Sequence, residues 1–276
     1  MDLQKTSKKA AAIIKSARAM VVTAGAGMGV DSGLPDFRGN KGFWKAYPAY
    51  ERLGLSFVEA ANPAHFTRDP AFGWGFYGHR AELYASTPPH AGFDLLRQWI
   101  DRYHLDYFVV TSNVDGHFQK AGFSEDKIYE VHGSIRHLQC SGPCTEDIWP
   151  CTGNIPVNPE NMRAEHIPRC ARCGAVARPN ILMFGDYFWN DGRSWQQEQN
   201  FSKFLRLHRG NPLVVLEIGA GTTVPTIRRL SERLGDHYCA TVFRLNPREP
   251  GIAPPHFSFP CTGLEGLRLI DSFLRK

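Results

Sequence analysis

Met20-Val21-Val22-Thr23-Ala24-Gly25-Ala26-Gly27-Met28-Gly29-Val30-Asp31-Ser32-Gly33 is an apolar run that breaks into glycines, and its reading decides the fold. Residues 20–23 are too short for a helix and carry no polar face, so they predict a buried strand. The glycines predict a tight turn at that strand's carboxyl end, where open α/β sheets receive phosphates. A chain without Cβ atoms approaches a pyrophosphate closely, and a helix N-terminus offers it positive potential. Alone, such a turn is equally a plain connection.

Outward from it, residues 7–19 predict a helix with Ile13, Ile14 and Ala17 on one face. Further short apolar runs at 106–111, 212–218 and 240–245 are separated by helical periodicity. Strands alternating with helices predict an α/β fold, a Rossmann-like parallel sheet with helices on both faces. Residues 137–178 break the pattern: they are rich in Cys, Pro, Gly and Asn, lack periodic apolar residues and cannot build a core of their own. With the irregular stretch 37–71 and a helix over 70–86 they are expected to form a small lobe. A single catalytic unit over 1–276 then divides into a large lobe of about 1–36, 87–136 and 179–276 and a small lobe of about 37–86 and 137–178.

Charged residues at 21% and aromatics at 12% leave ample apolar residues for a core in a chain of 276. The net charge of +5 is spread along the chain, which argues against a nucleic-acid partner. No stretch approaches the roughly 18 apolar residues of a membrane span and the N-terminus is polar, so a cytoplasmic protein without a membrane partner is expected. Four of the seven cysteines form two close pairs, which in a reducing compartment predicts metal rather than disulfides. Cys140-x3-Cys144 and Cys170-x2-Cys173 can converge as four thiolates on a structural zinc, with no coordination position left for hydrolysis. Cys151 lies nearby and could replace Cys144, whereas Cys239 and Cys261 sit in apolar context and are expected in the core.

A redox dinucleotide fingerprint fits poorly, because the third glycine of G-x-G-x-x-G falls on Val30 and no acid ends a second strand about 20 residues on. Gly33-Leu34-Pro35-Asp36-Phe37-Arg38-Gly39 instead sets an acid, an aromatic and a guanidinium in a stretch kept out of helix. Arg38 is suited to a phosphate and Phe37 to shielding a reactive sugar from water. Beyond the strand at 106–111 stand Ser112-Asn113-Val114-Asp115, and farther on Glu130-Val131-His132-Gly133. Asn113 can donate and accept, Asp115 can take a carboxamide N–H, and His132 suits a general base near neutrality. In the helix over 70–86, Tyr77 and Arg80 share a face, and a phenol beside a guanidinium is a receptor for a carboxylate.

In their order these motifs resemble the sirtuin family. Gly25-Ala26-Gly27 with Ser32 to Gly39 is similar to its cofactor loop, with Gly29 where a serine is usual. Ser112-Asn113-Val114-Asp115 resembles its Gln-Asn-Ile-Asp, and Gly219-Ala220-Gly221-Thr222-Thr223 its Gly-Thr-Ser segment, with Ala220 and Gly221 for the Thr-Ser pair and the hydroxyl of Thr222 or Thr223 in compensation. The resemblance implies an NAD-dependent protein-lysine deacylase that releases nicotinamide and O-acyl-ADP-ribose, with structural zinc. It implies NAD contacts from Gly25, Ala26, Gly27, Asp36, Phe37, Arg38, Ser112, Val114, Gly219, Gly221, Thr222 and Asn246, the last at the adenosine ribose. Asn113 and Asp115 would hold the nicotinamide end, and His132 would activate a ribose hydroxyl. Tyr77 and Arg80 look like the Tyr-x-x-Arg of members that remove malonyl, succinyl or glutaryl groups, many of which also remove acetyl. Met183-Phe184-Gly185-Asp186 resembles the Phe-Gly-Glu strand to which an acyl-lysine peptide or protein would add. A monomer is expected. NAD glycohydrolysis or protein ADP-ribosyl transfer at the same site is the alternative. A zinc-ribbon adaptor would leave the NAD motifs idle.

Overall fold

The computed structural model describes residues 2–35, 43–45 and 47–276, so the expected contacts of Asp36, Phe37 and Arg38 lie outside the described residues. β1 (Ala19–Ala24) is buried at all six positions and pairs in parallel, without register shift, with β2 (Asp106–Thr111) and β9 (Leu213–Ile218). A strand covered on both faces has no polar side, which is why it reads as a continuous apolar run. β3 (Ile128–Glu130), β10 (Thr241–Leu245) and β11 (Phe257–Phe259) complete a six-stranded parallel sheet of order β11-β10-β9-β1-β2-β3. Met20 and Val22 face helices Leu3–Ser16, Ala91–Arg102 and Gly263–Leu274, while Ala19 and Val21 face Gly192–Leu207 and Thr226–Tyr238. The first helix starts and ends earlier than the periodicity over 7–19 predicts, because Asp2 caps it by accepting from Lys5 N–H and Ala17 is already extended.

One pair departs from the apolar sheet interior. Glu217 on β9 and Arg244 on β10 are register partners, both buried, with Nε–Oε1 at 2.6 Å and Nη2–Oε2 at 2.9 Å. Burial raises the Glu217 pKa, and the two-pronged bond from Arg244 opposes that rise.

Residues 137–178 prove more regular than expected. β4 (Gly133–Cys140) pairs antiparallel with β5 (Trp149–Pro150) and β8 (Ala177–Ile181), and β6 (Val157–Asn158) pairs with β7 (Arg163–Ala164). β8 is buried throughout although its sequence is Ala-Arg-Pro-Asn-Ile, because Arg178 and Asn180 find internal partners. This lobe takes its core from the helix Pro70–Ser86, whose Trp74, Phe76 and Tyr77 pack among Phe43, Tyr50, Phe66 and Ile155. Cys261 is buried as expected, but Cys239 is exposed: it caps the Thr226–Tyr238 helix in the left-handed conformation, φ 52°. Among the described residues no helix is long and apolar enough to cross a membrane.

Glycine inside the Pro70–Ser86 helix costs about 1 kcal/mol relative to alanine, yet it lets a backbone in. A Cβ on Gly75 would stand 1.7 Å from the Met162 carbonyl oxygen. Gly75→Ala is therefore expected to lower the thermal midpoint by about 2–12 °C, from overpacking of about 1–3 kcal/mol at about 2–4 °C per kcal/mol. A midpoint unchanged or raised by alanine's helix propensity would overturn this packing.

Candidate active site

The site begins where β1 and β9 end. Gly25 N–H donates to the Ile218 carbonyl at 3.0 Å and Gly27 N–H to the Gly219 carbonyl at 3.1 Å. A Cβ on Gly219, whose φ is 64°, would lie 2.4 Å from the Gly27 Cα. The two loops thus touch backbone to backbone, and Ala26 opens a five-residue helix at the rim. A cavity of about 50 Å³ between them is lined by Gly27, Asp31, Gly219, Pro247 and Arg248.

The residues expected on the adenosine side are tied to one another's loops. Asn246 is fully buried; its Nδ2 donates to the Ala220 carbonyl at 2.8 Å and its Oδ1 accepts from the N–H groups of Arg248 and Glu249, each at 3.0 Å. It joins two loops at this edge. Gly221 is half-buried beside it, and Thr222 is exposed with its hydroxyl and N–H donating to the Glu249 carboxylate.

β2 delivers the polar cluster to the same edge. Ser112 N–H and the Thr111 hydroxyl both donate to the Ala24 carbonyl, at 3.0 and 3.1 Å. Asn113 Nδ2 donates to the Gly25 carbonyl at 3.0 Å, which fixes its amide over the glycine turn. Val114 is buried and accepts from Ile135 N–H at 3.1 Å. Asp115 Oδ1 accepts from His117 N–H at 2.9 Å, and its other oxygen would lie 3.6 Å from a Cβ at Gly29, where the resemblance places a serine. Desolvation raises the Asp115 pKa, partly offset by His117. His117 is a buried titratable residue that its place in the sequence did not single out, and desolvation lowers its pKa.

His132 follows β3 and precedes Gly133, whose φ of 76° and would-be Cβ contact of 2.1 Å with the Asn180 carbonyl admit only glycine. Desolvation lowers the His132 pKa, opposed by a bond with the Ser112 backbone. The imidazole is thereby kept neutral near pH 7, the form a general base needs. Asn113, Asp115 and His132 are thus brought to one edge, as the sequence predicts.

Tyr77 and Arg80 are both buried, and burial pushes the Tyr77 phenol up to about 12. The Arg80 carbon Cζ lies 5.2 to 5.8 Å from the ring centres of Phe57, Phe76, Tyr77 and Tyr84. Phe184 and Gly185 form a turn, not the expected strand, since Gly185 has φ 66° and the Asp186 carboxylate accepts from the N–H groups of Met183 and Phe188. Asp186 is itself bound by Arg178, and Phe184 remains partly exposed beside Phe57.

Away from this edge, the sulfurs of Cys140, Cys144, Cys170 and Cys173 all lie within 4.8 Å of one another, three pairs at 3.6 Å. A tetrahedral zinc with bonds of about 2.3 Å requires sulfurs about 3.8 Å apart, so the four thiols fit a closed structural zinc. Cys151 packs against the small-lobe core outside this group, and Cys144 is the fourth thiol of the cluster.

A model of the Sir2 family matches residues 25–205. An NAD-dependent protein deacylase of Aquifex aeolicus is 27% identical over 262 residues, covering 93% of this chain and 95% of that protein. The NAD-dependent protein deacylase 1 of Caldanaerobacter subterraneus is 31% identical over 195 residues, covering 71% and 72%. Among solved structures, a Sir2 homolog–NAD complex superposes with a TM-score of 0.70 at 21% identity, over 97% of this chain and 93% of the other. A Sir2 complex with deacetylated p53 peptide and 3′-O-acetyl ADP-ribose gives 0.64 at 20% identity, over 96% and 97%. At these identities the solved structures bear on the fold alone, which they share over nearly the whole chain.

Two measurements follow from the geometry. Freshly purified protein is expected to carry about one zinc per chain, and Cys144→Ser to lose it while Cys151→Ser keeps it; the reverse order would refute the ligand set. An NMR titration of His132 is expected to give a pKa below the usual 6.5, since burial disfavours the imidazolium, and a value above it would refute this environment.

Proposed function

Because the chain belongs to the Sir2 family, we propose that it is an NAD-dependent protein-lysine deacylase, that it accepts acidic acyl groups as well as acetyl, and that it releases nicotinamide and O-acyl-ADP-ribose. The observation that carries this reading is the meeting of Asn113, Asp115 and His132 at the carboxyl edge of the sheet, over the Gly25–Gly27 turn. Asn113 is held at this edge by its Nδ2 bond to the Gly25 carbonyl. The partly covered Asp115 is placed to take a carboxamide N–H, and desolvation strengthens such a bond. Nicotinamide supplies that carboxamide, and NAD as co-substrate supplies the ribose whose hydroxyl proton His132 would accept. The closely touching glycines put bare backbone at this edge, which a pyrophosphate can approach.

Arg80 lies on the small-lobe side of this edge, and its positive charge lowers the Asp115 pKa against desolvation. A guanidinium in an aromatic chamber supports the acidic acyl preference, since a chain ending in carboxylate would pair with it where an acetyl group would not reach. The turn of Phe184 and Gly185, beside Ala61 and Phe57, is the proposed seat of the lysine-bearing peptide. The four free thiols grouped for a metal fit a reducing compartment.

Incubation with NAD and a panel of acetyl-, malonyl-, succinyl- and glutaryl-lysine peptides, read by mass, is expected to yield free lysine, nicotinamide and O-acyl-ADP-ribose. Nicotinamide release that needs no peptide would instead favour NAD glycohydrolysis. His132→Tyr is expected to lower turnover by at least about 100-fold, as loss of a general base does. The double variant Tyr77→Phe, Arg80→Met is expected to lose succinyl turnover far more than acetyl turnover, and equal losses would remove the acyl-pocket assignment.

A further inference from the structure

The Pro70–Ser86 helix brings a third residue to the face that Tyr77 and Arg80 share. Positions 77, 80 and 84 are separated by three and four residues, so their side chains stand one above another. The hydrogen bonds of the Arg80 guanidinium within this trio run to Tyr84: Nε donates to the Tyr84 hydroxyl at 2.9 Å and Nη2 donates to the same oxygen. Tyr77 contributes its ring, 5.8 Å from the guanidinium carbon.

We propose that Tyr84 is a positioning residue for acyl specificity, its phenol oxygen holding the Arg80 guanidinium in the orientation that receives the carboxylate of an acidic acyl group. This rests on the deacylase reading of the site. The physical reason lies in which group does the holding. An aspartate or glutamate at 84 would fix the guanidinium equally well, but would neutralise it and compete with the acyl carboxylate. A phenol accepts two N–H groups and leaves the charge in place. Burial raises the Tyr84 pKa, so the phenol stays neutral at physiological pH. Nε and Nη2 lie on one edge of the planar fork, so two bonds to a single oxygen fix the plane as well as the position. The four aromatic rings around Cζ then keep that plane in a chamber that water enters poorly.

Tyr84 is itself well anchored. Lys120 Nζ donates to the Ala85 carbonyl at 2.6 Å and to the Thr87 carbonyl at 3.0 Å, tying this end of the helix to the segment that follows Asp115. Beyond the effect of burial, the Asp115 carboxylate raises the Tyr84 pKa further and Arg80 lowers that of Asp115, so both residues of the pair are within electrostatic reach of the nicotinamide-side loop.

The test is steady-state kinetics of the full-length wild type, Tyr84→Phe and Tyr84→Met with NAD and matched acetyl- and succinyl-lysine peptides, with kcat and KM resolved and thermal midpoints recorded. Tyr84→Phe keeps the ring and removes only the oxygen. It is expected to raise the succinyl KM about tenfold, equivalent to about 1.4 kcal/mol, to leave succinyl kcat within about threefold, and to leave both acetyl parameters within about twofold. Tyr84→Met is expected to show the same loss of selectivity, which places the effect on the hydroxyl. Equal losses on the two peptides in either variant would show a merely structural role and overturn the proposal. A wild type that turns over acetyl but not succinyl peptide would overturn the acidic-acyl reading and this proposal with it, an outcome visible before any variant is made.

Discussion

The contact of Gly27 with Gly219 is the constraint on which the site depends. The strand order places β1 between β2 and β9, so the turns leaving β1 and β9 emerge side by side at one edge. They can both turn there only if neither carries a side chain at the crossing, since a Cβ on either glycine would fall within 2.6 Å of the other's backbone. The resulting backbone ledge sets the height of everything above it. Asn113 is aimed by the Gly25 carbonyl, and Asn246 by the carbonyl of Ala220, the residue after Gly219. Polar side chains are thus registered on main-chain atoms whose positions the sheet fixes, which gives the geometric precision that a binding edge needs.

At the β9 side of that ledge the chain compensates for its own departure from the family pattern. Ala220 and Gly221 carry no hydroxyl, and the first one available, on Thr222, is taken up by Glu249. Order there comes from charge. Arg228 Nη2 donates to the carbonyls of Ala220 and Glu249, and beneath it Arg244 is bound by Glu217 and Glu232. A buried guanidinium between two carboxylates is expensive to desolvate, but it is directional where an apolar contact is not. It fixes the relation of two loops that share no strand pairing beyond Leu245 and Ile218.

How much of this the sequence disclosed follows from which residues carried the information. The parallel strands were legible because burial on both faces makes them continuously apolar, as Met20 to Ala24 shows. The small-lobe strands were not, because β8 places Arg178 and Asn180 where a pattern reader looks for apolar residues, and only tertiary partners make them buriable. The Phe184–Gly185 strand was lost to a local competitor, since Asp186 draws the N–H groups of Met183 and Phe188 into a turn that Gly185 permits. Spacing grouped Cys140, Cys144, Cys170 and Cys173, whereas the exclusion of Cys151 required three dimensions. Spacing likewise put Tyr77 beside Arg80 but gave no direction to the guanidinium; the signal for Tyr84 was its position four residues on.

The cysteine cluster bears on the catalytic edge through the strands that join them. β4 begins at Gly133, directly after His132, and ends at Cys140. Its partner β8 begins at Ala177, four residues beyond Cys173, and ends at Ile181, after which Leu182 N–H donates to the His132 carbonyl at 3.0 Å. Cys140 faces Ala177 at one end of this ribbon and Gly133 faces Ile181 at the other. The register between them shifts between Ser134 and Leu138, so no single continuous ladder joins the two ends. Four thiolates on one ion pin the cysteine end of this ribbon. A closed metal site that touches no substrate can therefore still fix where the imidazole stands, because the strand that carries Cys140 is the strand that starts at the base.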